Sequence, residues 1–151
     1  MTLLYRAAIA FILLFTISMP AWSAELTGLW EEYNDDTGNV DALIRIKKLP
    51  DNTYEGTIEK ILHSADDNPA LICKPCQGSL RNQPLLGLRI LSGMKRVDTE
   101  NYAGGEVLDP DDGKTYQCRI RLSEDGNTIQ VTGYLSLYWI GQSEVWRRAK
   151  K

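Results

Sequence analysis

Histidine is nearly absent from the sequence, because His63 is the only one in 151 residues. Most nucleophile–base–acid triads would have to use that residue, and no such set is evident. Basic residues are fewer than acidic ones, 17 against 20, and the formal net charge is −3. A nucleic-acid partner is therefore not expected, since a broad nucleic-acid-binding surface needs clustered Lys and Arg. Twelve Gly and six Pro are too few for collagen-like or Pro/Gly-rich low-complexity classes.

The remaining composition is that of a folded globular protein, with 43% hydrophobic and 25% charged residues. The length suggests one domain with a sizeable core. The sequence has no internal repeat and no linker, and nothing in it indicates a cofactor.

The N-terminal segment differs from the rest of the chain. Arg6 is its only charge before Glu25, residues 7–17 are almost wholly apolar, and Ala21 and Ser23 precede Ala24. This order predicts a secretory signal peptide over residues 1–23, with the mature chain starting at Ala24. The alternative is an uncleaved membrane anchor, but the apolar run is short for a bilayer span of roughly 20 residues. We therefore expect a periplasmic protein without a transmembrane span, whose cysteines meet an oxidising environment.

The dominant hydrophobic period in the mature chain is two, as in strands with one buried face. No apolar stripe of helical period extends over ten or more residues. Short turns rich in Asp, Asn, Gly or Pro separate the alternating segments, which is typical of hairpins. The predicted strands lie near residues 27–33, 40–47, 53–61, 85–92, 103–108, 114–122, 128–134 and 142–147. We predict an all-β fold, a single up-and-down barrel of eight strands over residues 25–151, with an open β-sandwich as the alternative.

The two ends of this region resemble the lipocalin and wider calycin pattern. Gly28-Leu29-Trp30 lies on the first predicted strand and Trp146-Arg147 on the last. In that pattern a Gly-x-Trp opens the barrel and an Arg of the terminal strand packs over the Trp. The resemblance implies that Gly28, Trp30 and Arg147 close the barrel, with the Arg147 guanidinium within roughly 6 Å of the indole. A one-residue slip would bring Arg148 there instead.

A second resemblance covers nearly the whole mature chain. Several segments, in order, are similar to the secreted bacterial family known as domain of unknown function 2147: residues 82–88, 104–110, 113–118, 133–134 and 140–146. The resemblance implies an exported, single-domain, calycin-like barrel with no established activity and no catalytic residues to transfer. Gln142 departs from the Arg expected there after Gly141, so a binding role for that Arg is not carried over.

The cysteines allow three interpretations. Cys73 and Cys76 lie in a long aperiodic segment, residues 62–84, and a disulfide closing this loop is the leading one. A thiol–disulfide redox motif has the same spacing but belongs at a helix N-terminus beside a βαβ unit, which an all-β chain lacks. A zinc site could combine both with His63 and Cys118, although one close-spaced pair is a weak metal signal. The period of two turns Cys118 into the core, where we expect it unpaired.

Other candidate features have simpler interpretations. Arg89 lies in an apolar run and could meet an anionic ligand inside the barrel, although such an Arg is more often paired or directed to solvent. Residues 109–113 are rich in Asp, but they lack the spacing of a calcium loop and favour a hairpin turn. Residues 135–140 are mostly apolar and are expected to close one barrel end. The alternative is an exposed patch for a membrane or partner.

Together these observations favour a binding protein rather than an enzyme. An eight-stranded barrel can hold one small ligand, so the expected partner is a small apolar or amphipathic molecule, or an envelope protein on the surface. The alternatives are a thiol–disulfide redox protein that uses Cys73 and Cys76, and a structural envelope factor with a filled barrel.

Overall fold

The computed structural model describes residues 24–34, 36–62, 71–135 and 141–150. Eight antiparallel strands follow one another around a closed barrel, each hydrogen-bonded to its neighbours in sequence. The strands are β1 Gly28–Tyr33, β2 Val40–Lys48, β3 Thr53–Ile61, β4 Arg89–Arg96, β5 Asn101–Leu108, β6 Thr115–Leu122, β7 Thr128–Tyr134 and β8 Gly141–Arg148. The predicted all-β, up-and-down barrel is confirmed.

The pairing of β1 with β8 closes the barrel and excludes the open sandwich. Trp30 lies opposite Arg148, and Glu31 lies opposite Arg147. One residue beyond β8, the Ala149 amide donates to the Leu29 carbonyl oxygen at 2.9 Å. Neither sheet edge is therefore left with a long row of unpaired backbone groups at this seam.

The interior is filled by the side chains that alternate inward along each strand. In β2 the inward residues are Ala42, Ile44 and Ile46, and in β6 they include Cys118, Ile120 and Leu122. In the described part of the chain, no charged or non-aromatic polar side chain is buried. The buried tyrosines and tryptophans bring a hydroxyl or an N–H group into the interior. The largest fully buried side chains are Trp30, Tyr54, Tyr102, Leu26, Ile44, Ile46, Leu91, Met94, Ile120, Leu122, Ile129 and Cys73.

The two ends of the barrel differ in their connections. At the end where β1 begins, here called the closed end, the connections are the short segments 49–52, 97–100 and 123–127. At the opposite end, here called the open end, β3 and β4 are separated by residues 62–88. Within that segment Gly78–Leu80 forms a short 3-10 helix. Among the described residues, no helix is long and apolar enough to cross a membrane.

The fourth strand lies later in the chain than predicted. The apolar run suggested a strand near 85–92, whereas β4 is Arg89–Arg96. Gly87 has φ +84°, a left-handed conformation that interrupts an extended strand. The Gly87 amide donates to the Ile58 carbonyl oxygen at 2.8 Å, and the side chain of Leu88, just before β4, is buried. The apolar run therefore belongs partly to the loop before β4, which packs on the barrel, and partly to β4 itself.

Two sequence predictions fall largely outside the described residues. The signal peptide predicted over 1–23 lies wholly outside them. Of the apolar segment 135–140, only Leu135 is described, and its side chain is 68% exposed.

Candidate functional site

The closed end is built around Trp30 and Arg148. The Arg148 guanidinium carbon lies 4.2 Å from the centre of the Trp30 ring system. The same guanidinium donates three hydrogen bonds to backbone carbonyl oxygens, at 2.7 Å to Gly126, 2.8 Å to Thr27 and 2.7 Å to Glu25. Arg148 therefore ties the N-terminal segment and the β6–β7 turn to the indole of β1. Burial lowers the pKa of Arg148, but an arginine in proteins keeps its charge.

The prediction that Arg147 covers Trp30 is wrong, and the alternative given with it, Arg148 after a one-residue slip, is confirmed. Side chains alternate along β8, and Trp146 is buried, so Arg148 shares its inward face while Arg147 points outward. Arg147 instead lies over the Tyr33 ring on the outer surface, with 5.2 Å between its guanidinium carbon and the ring centre. The inward residue Gly28 gives Arg148 its space: φ is +140°, and an added Cβ would lie 2.5 Å from Arg148 Nη1.

Side chains seal the closed end. The Trp30 Nε1 donates to the Leu26 carbonyl oxygen at 2.9 Å, which holds the fully buried Leu26 across the end of the barrel. The Tyr54 hydroxyl donates to Glu25 Oε1 at 2.5 Å, and Arg96 Nη1 lies 3.7 Å from Glu25 Oε2. Burial, and then the hydrogen bond to Glu25, raise the pKa of Tyr54 above its ordinary value. This end is a packed structural element rather than an entrance.

A cavity of about 510 Å³ lies at the open end. Strand alternation explains its position, because the lining side chains of β6, β7 and β8 lie two or four positions from the buried residues Cys118, Ile129 and Trp146 and so share their inward faces. Trp146, Val131, Val107, Leu108 and Ile90 supply apolar walls. The full set of lining residues is Ile90, Val107, Leu108, Asp109, Pro110, Asp112, Tyr116, Val131, Gly133, Leu135, Gly141, Gln142, Glu144 and Trp146. Its volume lies within the range of small-molecule sites, and its lining combines apolar and polar side chains.

The polar groups of the cavity are held by local hydrogen bonds. The Trp146 Nε1 donates to Glu144 Oε2 at 3.0 Å. The Tyr116 hydroxyl donates to Asp112 Oδ2, and this bond raises the pKa of Tyr116 to about 12. Asp109 Oδ1 accepts the amide of Asp111 at 2.8 Å, which shapes the β5–β6 turn as an Asx turn. These carboxylates therefore have defined positions at the cavity.

The pKa of Asp111, in the same turn, is raised. Loss of hydration is the larger cause, and the neighbouring carboxylates of Asp109, Asp41 and Asp112 raise it further. Both causes disfavour the charged form of a carboxyl group, which is why its pKa rises.

The predicted disulfide between Cys73 and Cys76 is present, with 5.4 Å between the two Cα atoms. It closes the tip of a small hairpin in which the Cys73 amide donates to Gln83 O, and the Asn82 amide to Cys73 O, both at 2.9 Å. The tip packs on the β5–β6 turn, where Cys73 Sγ lies 3.5 Å from the Pro110 carbonyl oxygen. Gly113, with φ +71°, has no space for a Cβ against the Pro75 carbonyl. The disulfide thus supports a turn that lines the cavity.

The environment of this disulfide is unlike that of a redox-active pair. Cys73 and Cys76 are 0% and 1% exposed, so neither sulfur is open to attack by an external thiolate. A short 3-10 helix, not an α-helix, follows the pair, so there is no helix dipole aligned to lower a thiol pKa. These observations favour a structural disulfide over the redox alternative.

The zinc alternative loses two of its four proposed ligands in this structure. Cys73 and Cys76 are bonded to each other, and His63 lies outside the described residues. Cys118 is an unpaired thiol in the packed interior, and burial raises its pKa to about 12. In the part of the chain that is described, no group of three or more His, Cys, Asp or Glu side chains is placed to hold a metal ion.

Arg89 does not point into the barrel, contrary to the hypothesis of an interior anion site. Its side chain is 62% exposed, and Arg89 Nη1 lies 3.5 Å from Glu55 Oε2 on the neighbouring strand. Within β4 the side chain of Ile90 is buried, whereas Arg89, the first residue of the strand, is exposed.

Sequence reasoning missed the polar residues of the cavity. Glu144 and Gln142 share a strand face with the buried Trp146, and Tyr116 shares one with Cys118. The period of two within β6 and β8 was the available signal, because a polar residue two positions from a core residue must project into the lumen or its mouth.

The closed barrel, with an inward Trp covered by an Arg of the last strand, gives the protein a lipocalin-like fold. The solved structure of protein HP1028 from Helicobacter pylori, described as belonging to the lipocalin family, matches with a TM-score of 0.71 over 85% of each chain. The sequence identity is 21%, so this likeness shows the fold alone. The chain belongs to the bacterial family described as "Uncharacterized protein conserved in bacteria (DUF2147)", whose model matches residues 28–148. Among curated proteins, none matches the sequence significantly.

Proposed function

We propose that this protein binds a small apolar or amphipathic molecule in the open-end cavity. The observation that carries the proposal is the cavity itself, about 510 Å³ with Trp146, Val131 and Val107 among its walls. Small-molecule sites typically have this size range and combine apolar walls with a few placed polar groups. The lipocalin-like fold fits such a role. A barrel filled to both ends, as expected of a structural factor without a ligand, would leave no such space.

The proposal includes export to the periplasm. It is supported by the apolar segment and small residues that precede Ala24. Cleavage after Ser23 would leave Glu25 and Leu26, with their contacts at the closed end, intact in the mature chain. The expected N-terminus of protein from a periplasmic extract is Ala24, and a mass with Met1 retained in the membrane fraction would contradict export.

Binding can be tested with N-phenyl-1-naphthylamine, an uncharged probe whose fluorescence rises in apolar surroundings. Two adjacent residues of β8 provide a matched pair of variants. Gln142 lines the cavity, whereas Ser143 is on the opposite face, with its Oγ 2.8 Å from Thr132 Oγ1. We expect saturable binding that Gln142→Trp abolishes and Ser143→Trp leaves unchanged. Absence of saturable binding, or equal binding by both variants, would contradict the proposed site.

Native mass spectrometry of protein purified from the periplasm gives an independent check. A co-purifying small molecule that is lost in Gln142→Trp and retained in Ser143→Trp would support the proposal. The same ligand retained in both variants would place binding elsewhere. The intact mass also shows whether a metal is bound.

A further inference from the structure

The β5–β6 turn, residues 109–113, contacts both the cavity and the disulfide. Asp109, Pro110 and Asp112 line the cavity. Asp112 also accepts the hydroxyl of Tyr116, which lines the cavity from β6. A shift of this turn would therefore move several of the groups that a ligand meets, both within the turn and on β6.

A hairpin in the segment before β4, residues 71–85, packs on this turn and is here called the disulfide hairpin. Backbone hydrogen bonds join its two arms, among them the bond from the Leu85 amide to the Leu71 carbonyl oxygen at 2.8 Å. None of residues 71–85 is among the described residues that line the cavity. An effect of the hairpin on a ligand therefore acts through the elements that the hairpin contacts.

The contact between the hairpin tip and the turn leaves no spare room. Cys73 Sγ lies 3.5 Å from the Pro110 carbonyl oxygen, and a Cβ added at Gly113 would overlap the Pro75 carbonyl group. The side chains of Cys73 and Cys76 are both buried. Two thiols need more room than one disulfide, so reduction of this bond has to displace the hairpin tip or the turn beneath it.

We propose that the open-end cavity binds its ligand tightly only when Cys73 and Cys76 are oxidised. The disulfide fixes the hairpin tip, the tip fixes the β5–β6 turn, and the turn completes the cavity wall. Formation of the bond removes two electrons and two protons from the two thiols, and an external disulfide takes them up and becomes two thiols. This inference rests on the proposed function, because it concerns the regulation of binding in the same cavity.

Together with the proposed export, this dependence confines binding to the oxidising compartment. Disulfides persist there, whereas thiols stay reduced in the cytosol. A chain that has not left the cytosol has a cavity wall that is not held in place. The burial of both sulfur atoms fits a bond that forms once, as the exported chain folds, rather than one that is exchanged repeatedly.

The test compares binding of N-phenyl-1-naphthylamine by three forms of the mature protein. The oxidised form is used as purified, the reduced form is refolded from urea with dithiothreitol, and the reoxidised form is the reduced protein treated with oxidised glutathione. If the loosened turn keeps its place about a tenth of the time, the Kd rises about tenfold on reduction. We expect this rise, its reversal on reoxidation, and an unchanged far-UV circular dichroism spectrum.

Variants assign the effect to the contact between the tip and the turn. Cys73→Ser with Cys76→Ser should bind like the reduced form, and oxidised glutathione should not restore its affinity. Gly113→Ala keeps the disulfide but forces the turn away from the tip, and it should also weaken binding. The matched control is Gly38→Ala: both glycines lie in turns at the open end, with φ +69° and +71°, but an added Cβ at Gly38 meets no described atom within 4 Å. That control should bind like the parent.

Hydrogen exchange separates a local effect from a general loss of stability. The Gly113 amide donates to the Asp109 carbonyl oxygen in the β5–β6 turn, and the Gly126 amide donates to the Ser123 carbonyl oxygen in the β6–β7 turn, both at 2.9 Å. Reduction should speed exchange in the β5–β6 turn and leave the β6–β7 turn at the closed end unchanged. Equal acceleration in both turns would show a general loss of stability and would contradict the proposal.

The outcomes separate this inference from the proposed function. If the oxidised parent does not bind the probe, the proposed function fails and this inference fails with it. If the oxidised and reduced forms bind equally tightly, the binding cavity stands and the dependence on oxidation is wrong. If reduction weakens binding but Gly113→Ala binds as tightly as Gly38→Ala, the disulfide does not act through the turn.

Discussion

Two adjacent arginines of β8 allow a direct test of how the barrel is closed. Arg148 covers Trp30 and donates to three carbonyl oxygens, whereas Arg147 lies over Tyr33 on the outside. Arg148→Met and Arg147→Met remove the same charge and leave a similar aliphatic stem. A difference between their stabilities therefore reports the contacts and not the net charge.

The magnitude follows from the contacts. Hydrogen bonds from a charged donor contribute about 1.5–3 kcal/mol each, and a cation over an indole adds about 0.5–2 kcal/mol. These contributions are not additive, and water can replace part of the bonding at a half-buried site, so we expect Arg148→Met to cost about 3–5 kcal/mol. Arg147→Met loses an exposed cation–π contact and should cost about 0.5–1 kcal/mol.

The measurement is urea unfolding of the mature oxidised protein, followed by tryptophan fluorescence and repeated by far-UV circular dichroism. Coincident curves would support a two-state comparison of unfolding free energies. If the two variants lose equal stability, or if Arg147→Met loses more, then Arg148 does not close the barrel and the register of β1 against β8 is wrong.

Three further predictions concern the cysteines and Tyr54. Replacing both Cys73 and Cys76 by Ser should lower the unfolding free energy by about 2 kcal/mol, because the disulfide closes a ring of only four residues; a variant as stable as the parent in urea would contradict a structural role. Cys118 should not react with a thiol reagent in the native oxidised protein and should give one thiol in denaturant, because it is buried and its pKa is raised to about 12; rapid native labelling would refute this. The raised pKa of Tyr54 means that the folded state holds the phenol proton more tightly than the unfolded state. Stability should therefore be retained below pH about 10 and fall as the pH rises above it, less steeply in Tyr54→Phe; an equal slope in both proteins would exclude this contribution.

Local patterns in the sequence predicted the architecture well. Alternation along β2, β6 and β7 identifies a strand and its buried face from a few consecutive residues, and Asp, Asn and Gly mark the turns between them. The disulfide was also predictable, because Cys73 and Cys76 are three residues apart and a turn conformation brings their Cα atoms within disulfide reach. These features depend on neighbours in the chain, so the sequence by itself determined them.

Contacts between distant segments needed the tertiary structure. Whether Arg147 or Arg148 covers Trp30 depends on which face of β8 is inward. The sequence left both residues open and favoured Arg147. The burial of Trp146 settles the inward face, and Arg148 shares it. Arg89 is exposed beside Glu55 whereas its neighbour Ile90 is buried, and an apolar run does not reveal which of the two faces inward.

The cavity is the clearest case of a feature that only the tertiary structure decided. Glu144 on β8 and Asp109 in the β5–β6 turn are 35 positions apart in the sequence, and each alone resembles an ordinary exposed acidic residue. The sequence determined that β8 alternates and that residues 109–113 form a turn. Closure of the barrel then placed both carboxylates beside the same apolar walls, because the strand ends and turns at the open end surround one lumen.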